Sequence, residues 1–151
     1  VMISAYGSGF DADPTLNHKA FLKYIELNEG TKRHLIAIGG AGSLFTDSTH
    51  TTYCYETPEH PDFLREISKN IKLGIDELKK TSDVNWTVVC PSSFFDSEGA
   101  LTGNYEIGTE EQVIFNEAGE SRVTYEDLAM AMLDIAEADN YNQKQITVLT
   151  K

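Results

Sequence analysis

The chain has 151 residues, which is enough for one domain with a substantial core, so no second domain is required. It carries 24 acidic and 12 basic side chains, a formal charge of −12 that offers no basic stripe and would repel phosphate backbones and anionic membrane surfaces. We therefore expect no nucleic-acid partner and no membrane partner, and we interpret the acidity as a solvated surface.

The two cysteines are too few for a disulfide framework, and Cys90 lies in an apolar run where a reduced thiol packs like a small hydrophobic side chain. No segment reaches the roughly 20 apolar residues that span a bilayer, and no charged start precedes an apolar signal core. We expect a cytoplasmic, reducing environment. The four histidines show no metal-ligand spacing with the cysteines, so we expect no metal site.

The chain begins in an apolar run over residues 1–7, which predicts a strand that ends in small residues. Glycines, aspartates and a proline over residues 7–14 predict a loop. A helix is predicted from Thr15 to Asn28, with Gly30 placed to end it in a left-handed conformation. The apolar residues that recur at helical spacing in it are Leu16, Ala20, Phe21, Tyr24 and Leu27.

The next unit repeats the order of strand, loop and helix. Residues 34–38 predict a second buried strand, and a glycine-rich loop follows over residues 39–43. Residues 44–59 are polar, β-branched and aromatic without a clean period, which indicates a long connection of the kind that often carries binding groups. Residues 61–80 predict a helix with proline in its first turn.

A third strand is predicted over residues 86–90, stopped by Pro91, which cannot donate a ladder hydrogen bond. Two short segments, residues 104–108 and 112–115, predict a hairpin. Because ligands of open parallel sheets bind beyond the carboxyl ends of the strands, we expect function at the ends of the three predicted apolar strands.

Thr124 and Asp127 resemble a capping box at the head of a helix. The spacing of its apolar residues predicts an inward face of Leu128, Ala131, Met132 and Ile135. Residues 145–150 predict a final strand. Alternating strands and helices with connections of this length predict one α/β domain over residues 1–151, with a mostly parallel sheet, flanking helices and right-handed crossovers.

The loop after the second strand contains Gly40 and Gly42, and such a pair is typical of a dinucleotide phosphate loop. The third glycine of that pattern is absent, with Phe45 in its place, and the residues that follow do not form an amphipathic helix. No strand ending in an acidic residue follows about 20 residues later to bind a ribose hydroxyl. The pattern therefore does not predict a phosphate loop here.

Four short segments resemble segments of the atypical short-chain dehydrogenase/reductases, and their order and spacing extend over nearly the whole chain. Within that superfamily the chain is most similar to the NAD(P)H-binding NADH-flavin reductase branch, which is related to NmrA-like proteins and biliverdin reductase B. The resemblance implies a Rossmann-like fold whose first strands and glycine motif lie before residue 1, so that this chain is its C-terminal portion. The segments are residues 3–7, 39–44, 86–95 and 121–129.

The resemblance implies where a bound NADP or NAD would lie. The end of the first strand would follow the adenosine side, the glycine loop would line the nicotinamide end, and the segment after the third strand would form the wall against that ring. Ser43 is the candidate catalytic residue, polarising the substrate or the carboxamide. Ordinary strand-end turns are the alternative interpretation. The implied cofactor-binding residues at these three tips are Ala5, Tyr6, Gly7, Gly39, Gly40, Ala41, Pro91, Ser92, Ser93 and Phe94.

Members of the wider superfamily carry a Tyr-x-x-x-Lys pair, and the matching frame here contains Ser68 and Lys72. A serine hydroxyl is a far poorer acid than a phenol, which disfavours carbonyl reduction and leaves acceptors that need no enzyme-bound acid, such as flavins or quinones. Lys72 is a candidate ligand of the ribose, or alternatively an ion-pair partner of Asp76 at i+4. The aromatic residues that could cover a flat acceptor ring, or pack as core, are Phe94, Phe95, Tyr53 and Tyr55.

The sequence thus predicts an NAD(P)H-binding oxidoreductase that acts on a small molecule such as a flavin or quinone, with the choice between NAD and NADP left open. One alternative is a non-catalytic dinucleotide sensor of the NmrA-like type. Another is an inactive fragment, whose first strand would form an unpaired sheet edge and drive association into a homo-oligomer.

Overall fold

Three apolar runs form the centre of the molecule as neighbouring parallel strands. In the computed structural model, which describes residues 1–151, nearly every residue of the second and third of these strands is buried. Burial on both faces explains why they are continuous apolar runs and not alternating patterns. The elements are β1 (Met2–Ser4), α1 (Thr15–Asn28), β2 (His34–Ile38), α2 (Asp62–Lys79), β3 (Asn85–Pro91), β4 (Phe94–Asp96), β5 (Tyr105–Gly108), β6 (Arg122–Thr124), α3 (Tyr125–Ala138) and β7 (Lys144–Thr150).

The main sheet has the strand order β1-β2-β3-β7-β5, in which β5 alone runs antiparallel to its neighbour. Ser4 lies opposite Ala37, and Ile38 lies opposite Val89. The carboxyl ends of β1, β2 and β3 therefore share one rim, and the predicted mixed α/β fold with a mainly parallel sheet is confirmed. β1 lies at the edge of the sheet.

The helices cover both faces of the sheet. α1 and α2 pack together over a core that includes Phe21, Ile75 and Trp86, and α3 packs over a second core that includes Ile36 and Ile146. The predicted inward face of α3 is confirmed, since its four residues are buried. None of the helices is both long enough and apolar enough to cross a membrane.

α1 begins and ends where the sequence predicts, and two of its polar residues are buried while two of its leucines are not. Leu16 and Leu27 are exposed, whereas Asn17 and Asn28 are buried. Both asparagines donate hydrogen bonds locally: Asn28 Nδ2 donates to the Tyr24 carbonyl oxygen at 2.7 Å, and Asn17 Nδ2 donates to Ser8 Oγ at 2.8 Å. Asn28 Oδ1 is buried and accepts no hydrogen bond, so for this residue the bond from the amide nitrogen offsets only part of the cost of burial.

The predicted hairpin is wrong. Residues 112–115 form no strand, and β5 pairs with β7 instead, with Ile107 opposite Val148. β7 offers a long, buried edge for this pairing, whereas Gln112 makes only an isolated bridge with Phe45. The predicted end of the third strand is also wrong by one residue, because Pro91 is the last residue of β3, where a missing N–H group is tolerated.

Two short strands that the sequence pattern did not predict, β4 and β6, form a separate parallel pair. Phe95 lies opposite Val123 in this pair, which places the start of α3 beside the end of β3. The pair is reinforced by Arg122, whose Nε donates to Asp96 Oδ2 at 2.9 Å. This small sheet brings two aromatic rings to the rim of the main sheet.

The start of α3 contains half of the predicted capping box. Thr124 Oγ1 accepts a hydrogen bond from the Asp127 N–H group at 3.0 Å, as an N-cap does. The Asp127 carboxylate does not return to the Thr124 N–H group, which donates to Thr150 Oγ1 instead. The carboxylate accepts hydrogen bonds from Thr102, Gly103 and Thr150, and thereby ties the loop before β5 to α3 and β7.

Candidate functional site

The largest cleft of the molecule lies beyond the carboxyl ends of β1 and β2, between α2 and α3. Its volume is about 720 Å³, and 13 of its 18 lining residues are hydrophobic. None of the 18 is an acidic residue, a lysine, an arginine or a histidine. Small-molecule sites commonly have volumes of roughly 300–1,000 Å³, and in open parallel sheets they occupy this position.

The end of β1 lines this cleft as the sequence predicts. Ala5, Tyr6 and Gly7 all contribute to the lining and are exposed, with Tyr6 at 47%. A Cβ atom added at Gly7 would meet nothing within 4 Å, so the backbone here faces open space. This is the part of the rim where a flat group could lie directly against the chain.

The glycines after β2 are explained by close packing of the protein itself. Gly39 also lines the cleft, and its N–H group extends the ladder to the Val89 carbonyl oxygen at 2.9 Å. A Cβ atom at position 39 would lie 2.6 Å from Cys90 Sγ, and one at position 42 would lie 2.3 Å from Ser68 Oγ. Gly40 and Ala41 are half-buried beside the cleft without lining it.

Ser43 lies behind the cleft. It is 1% exposed, and its hydroxyl donates to the Gly40 carbonyl oxygen at 2.7 Å and accepts from Gln145 Nε2 at 3.1 Å. The first bond lies within the turn after β2, and the second holds that turn against β7. The catalytic role remains a prediction, and in this geometry the hydroxyl makes structural hydrogen bonds and does not face the cleft.

Ser68 and Lys72 also point away from the cleft. Lys72 Nζ lies 2.6 Å from both Asp76 carboxylate oxygens and 4.4 Å from the centroid of the Tyr53 ring. Burial lowers the pKa of Lys72, but the Asp76 carboxylate and Tyr53 raise it more, so the ammonium form is held. Ser68 is 6% exposed, and its Oγ lies 3.1 Å from His60 Nε2. The observed contact of Lys72 is the i,i+4 ion pair.

The segment after β3 turns from the interior to the surface within four residues. Pro91 and Ser92 are buried, and Ser92 Oγ donates to the Val148 carbonyl oxygen at 2.6 Å. Ser93 and Phe94 are exposed, and the Ser93 N–H group donates to Ser121 Oγ at 3.1 Å. None of the four lines the cleft, but the next residue, Phe95, does.

Phe95 and Tyr125 form the aromatic wall of the cleft. Their ring centroids are 3.9 Å apart with an interplanar angle of 31°, and the Tyr125 side chain is 50% exposed. Sequence analysis missed Tyr125, although its place directly after the N-cap Thr124 put it at the start of a helix near the rim. Tyr53, by contrast, stacks on both Tyr55 and Phe45, and neither tyrosine lines the cleft.

The opposite side of the cleft carries further residues that the sequence pattern did not single out. Phe10 lines the cleft and packs edge-on against Phe63, with ring centroids 5.7 Å apart. Ala129 and Leu133 present the outer flank of α3. Elsewhere in the molecule, no group of three or more histidine, cysteine, aspartate or glutamate side chains is arranged to hold a metal ion.

A mainly parallel sheet with helices on both faces, and a cleft beyond its strand ends, defines a Rossmann-like fold of the kind found in NAD(P)-binding reductases. No protein-family model matches the chain. SP1627 from Streptococcus pneumoniae TIGR4, described as "a putative NADH-flavin reductase", is 33% identical with a TM-score of 0.91, over 99% of this chain and 70% of that one. The chain belongs to the same family as SP1627.

Two other similar proteins carry less information about function. The uncharacterized protein YwnB of Bacillus subtilis (strain 168) is 35% identical over 125 residues, which is 83% of this chain. The chain spans 58% of the length of that curated relative. A "putative epimerase" from Bacteroides thetaiotaomicron is 26% identical with a TM-score of 0.82, over 98% of this chain and 66% of its own.

Proposed function

We propose that the protein is an NAD(P)H-dependent oxidoreductase that reduces a small-molecule acceptor, a flavin or a quinone. The observation that carries this proposal is the uncharged, mostly apolar cleft at the carboxyl ends of parallel strands, in a fold shared with SP1627. A cytoplasmic location, and self-association through the edge of β1, remain predictions.

The residues of this chain fit the uncharged parts of a nicotinamide dinucleotide. Ala5–Gly7 and Gly39 present backbone and small side chains to the cleft, as a flat ring requires, and Ser93 and Phe94 lie exposed beside it. No lysine or arginine lines the cleft, so the pyrophosphate finds no cation among these side chains. Ala5, Tyr6, Gly7 and Gly39 are therefore proposed to contact the ring portions of the cofactor. For Gly40, Ala41 and residues 91–94, which do not line the cleft, contact with the cofactor stays a prediction.

The cofactor, when bound, supplies a hydride. The chain contributes a mostly apolar surface and an aromatic wall that would orient the acceptor. Four lining residues carry side-chain O–H or N–H groups: the hydroxyl groups of Tyr6, Ser8 and Tyr125 and the amide of Asn17. Ser68 does not line the cleft, so the frame in which related enzymes carry their proton donor supplies none here, and the proposal is for acceptors that take their proton from solvent after hydride transfer.

The direct test is acceptor-dependent oxidation of NADH and NADPH, followed by loss of the absorbance of the reduced nicotinamide. We expect the purified protein to accelerate oxidation when riboflavin or a naphthoquinone is present, and not when both are omitted. Cofactor oxidation at the uncatalysed rate with every flavin and quinone would remove the enzyme claim.

A dinucleotide sensor without turnover is the second candidate. It is favoured by the placement of Ser43, Ser68 and Lys72, whose polar side-chain atoms all engage protein groups away from the cleft. This function predicts saturable heat of NADH or NADPH binding in titration calorimetry together with no oxidation of the bound cofactor. The two measurements on one preparation decide between the candidates.

A further inference from the structure

Resting on the proposed function, we propose that the acceptor is a neutral, planar ring that stacks on the Phe95–Tyr125 pair, and that a phosphate or sulfonate on the acceptor is selected against. Riboflavin and unsubstituted quinones meet this description, whereas FMN does not. Three observations carry the inference: the charge around the cleft, the stacked aromatic pair, and the way in which that pair is held.

The charge of the site opposes an anionic acceptor. No cationic side chain lines the cleft. Several residues that are next to lining residues in the sequence are exposed acids, among them Asp11, Glu66 and Glu126. The nearest lysine in sequence, Lys72, is held by Asp76. An anionic substituent would leave water for an uncharged surface in a molecule of net charge −12, with no ion pair to offset the loss of hydration.

The aromatic pair presents a flat surface of the size of one ring system. With centroids 3.9 Å apart and planes inclined by 31°, the two rings contact each other in a tilted arrangement. Half of the Tyr125 side chain is exposed. Stacked rings of this kind contribute about 2- to 10-fold in affinity beyond the burial of their area.

The pair is also held in place before any ligand arrives. Phe95 belongs to β4, and the residue after it, Asp96, accepts hydrogen bonds from Arg122 on β6 and from the Glu98 and Gly99 N–H groups. Tyr125 follows Arg122 by three residues at the first turn of α3. A preorganised platform loses little side-chain freedom on binding, which favours a rigid planar ligand.

The reaction at this platform balances with the cofactor and solvent alone. A hydride moves from the reduced nicotinamide to the acceptor, so the cofactor is oxidised by two electrons and the acceptor is reduced by two. One proton from solvent completes the dihydroflavin or hydroquinone. No further reductant or oxidant is required.

Binding of riboflavin and FMN tests the charge selection, because the two share one ring system and differ by a phosphate. Quenching of their fluorescence by the protein measures affinity without the cofactor. At low ionic strength we expect riboflavin to bind about tenfold more tightly than FMN, and added salt to narrow the difference. A naphthoquinone and its sulfonate should show the same order in kcat/KM. Equal or tighter binding of FMN would overturn the inference.

Two sets of variants localise the effect. Tyr125→Ala is expected to weaken riboflavin binding by about 3- to 10-fold, whereas Phe115→Ala, an equally exposed aromatic residue outside the cleft, should leave it unchanged. Leu133→Lys places a cation on the exposed flank of the cleft and should shift the FMN-to-riboflavin affinity ratio toward FMN by about tenfold. The neutral variant Leu133→Gln is the matched control and should leave the ratio unchanged.

The outcomes separate this inference from the proposed function. If no acceptor oxidises NAD(P)H but riboflavin still binds more tightly than FMN, the proposed enzyme activity is refuted and the proposed acceptor site is supported. Turnover in which FMN and riboflavin are equivalent, or in which Leu133→Lys and Leu133→Gln behave alike, retains the enzyme and removes the charge selection.

Discussion

Replacing Asp127 with alanine is expected to lower the free energy of unfolding by about 3 kcal/mol or more. The carboxylate is 0% exposed and accepts hydrogen bonds from the Thr102 N–H and hydroxyl groups at 3.0 and 2.8 Å, from the Gly103 N–H group at 3.0 Å, and from the Thr150 hydroxyl at 2.8 Å. The substitution leaves these donors without an acceptor in the interior, where each unmade bond costs about 1–3 kcal/mol. Urea denaturation measures the loss.

Glu137→Ala is the matched control, because Glu137 lies exposed on the same helix, and we expect a change within about 0.5 kcal/mol. Equal effects of the two substitutions would contradict the assigned role of the Asp127 network.

The same carboxylate gives the protein part of its acid sensitivity. Burial raises the pKa of Asp127, but the hydrogen bonds from Thr102, Thr150 and Gly103 lower it more, so the pKa lies below its ordinary value of 3.8. A carboxyl whose pKa is lower in the folded than in the unfolded state stabilises the protein above the unfolded pKa and loses this contribution as the pH falls through the folded pKa. Below about pH 4, the stability difference between the native chain and the Asp127→Ala variant should therefore shrink.

Replacing Gly74 with alanine is expected to destabilise the protein by about 2 kcal/mol, although the same change at an exposed helical position stabilises by about 1 kcal/mol. A Cβ atom at position 74 would lie 2.5 Å from Phe21 Cγ and 2.6 Å from Phe21 Cβ, where α1 crosses α2. These are atoms near the Phe21 backbone and not the end of a flexible chain, so the helices must move apart. Thermal or urea unfolding measures the change.

The sign of this effect depends on Phe21. In a Phe21→Gly background both the ring and its Cβ atom are gone, and Gly74→Ala should become neutral or stabilising because the helix propensity of alanine then dominates. Lys69→Ala, on an exposed part of the same helix, controls for propensity alone. The assigned crossing is incorrect if Gly74→Ala costs the same with and without the Phe21 ring.

The positions of the long elements could be predicted from the sequence because each carries a strong local signal. α1 has the predicted bounds and is followed by Gly30 at φ +66°, and the helix predicted over residues 61–80 is observed from Asp62 to Lys79. The buried strands were evident as uninterrupted apolar runs. Their parallel arrangement followed from the alternation of strands and helices and the length of the connections.

Short elements that depend on partners could not be predicted in this way. β4 and β6 contain three residues each and form because Phe94–Asp96 pairs with Arg122–Thr124, with Phe95 opposite Val123, although residues 97–121 separate them in the chain. Residues 112–115 carry a β-like pattern but form no strand, because β5, their predicted partner, pairs with β7 instead. Nothing within a short window distinguishes these cases.

In the candidate site, too, the positions of the strand ends could be predicted, whereas the directions of single side chains could not. The ends of β1 and β2 reach the cleft as expected, because the parallel register fixes where the backbone goes. The direction of single side chains depends on packing, and so Ser43 and Lys72 turn to Gln145 and Asp76. Tyr125 reaches the cleft through the β4–β6 pair, which the sequence did not reveal.

Amide chemical-shift mapping with NADH and NADPH tests most directly whether the cleft at the strand ends is the nucleotide site. On titration of either cofactor, the account predicts saturable shifts that concentrate in residues 5–7, 39–41 and 93–95. Residues around Lys79 and Glu111, on a small polar cavity elsewhere, should stay unchanged. Saturable shifts centred on that cavity, or none at any cofactor concentration, would contradict the account.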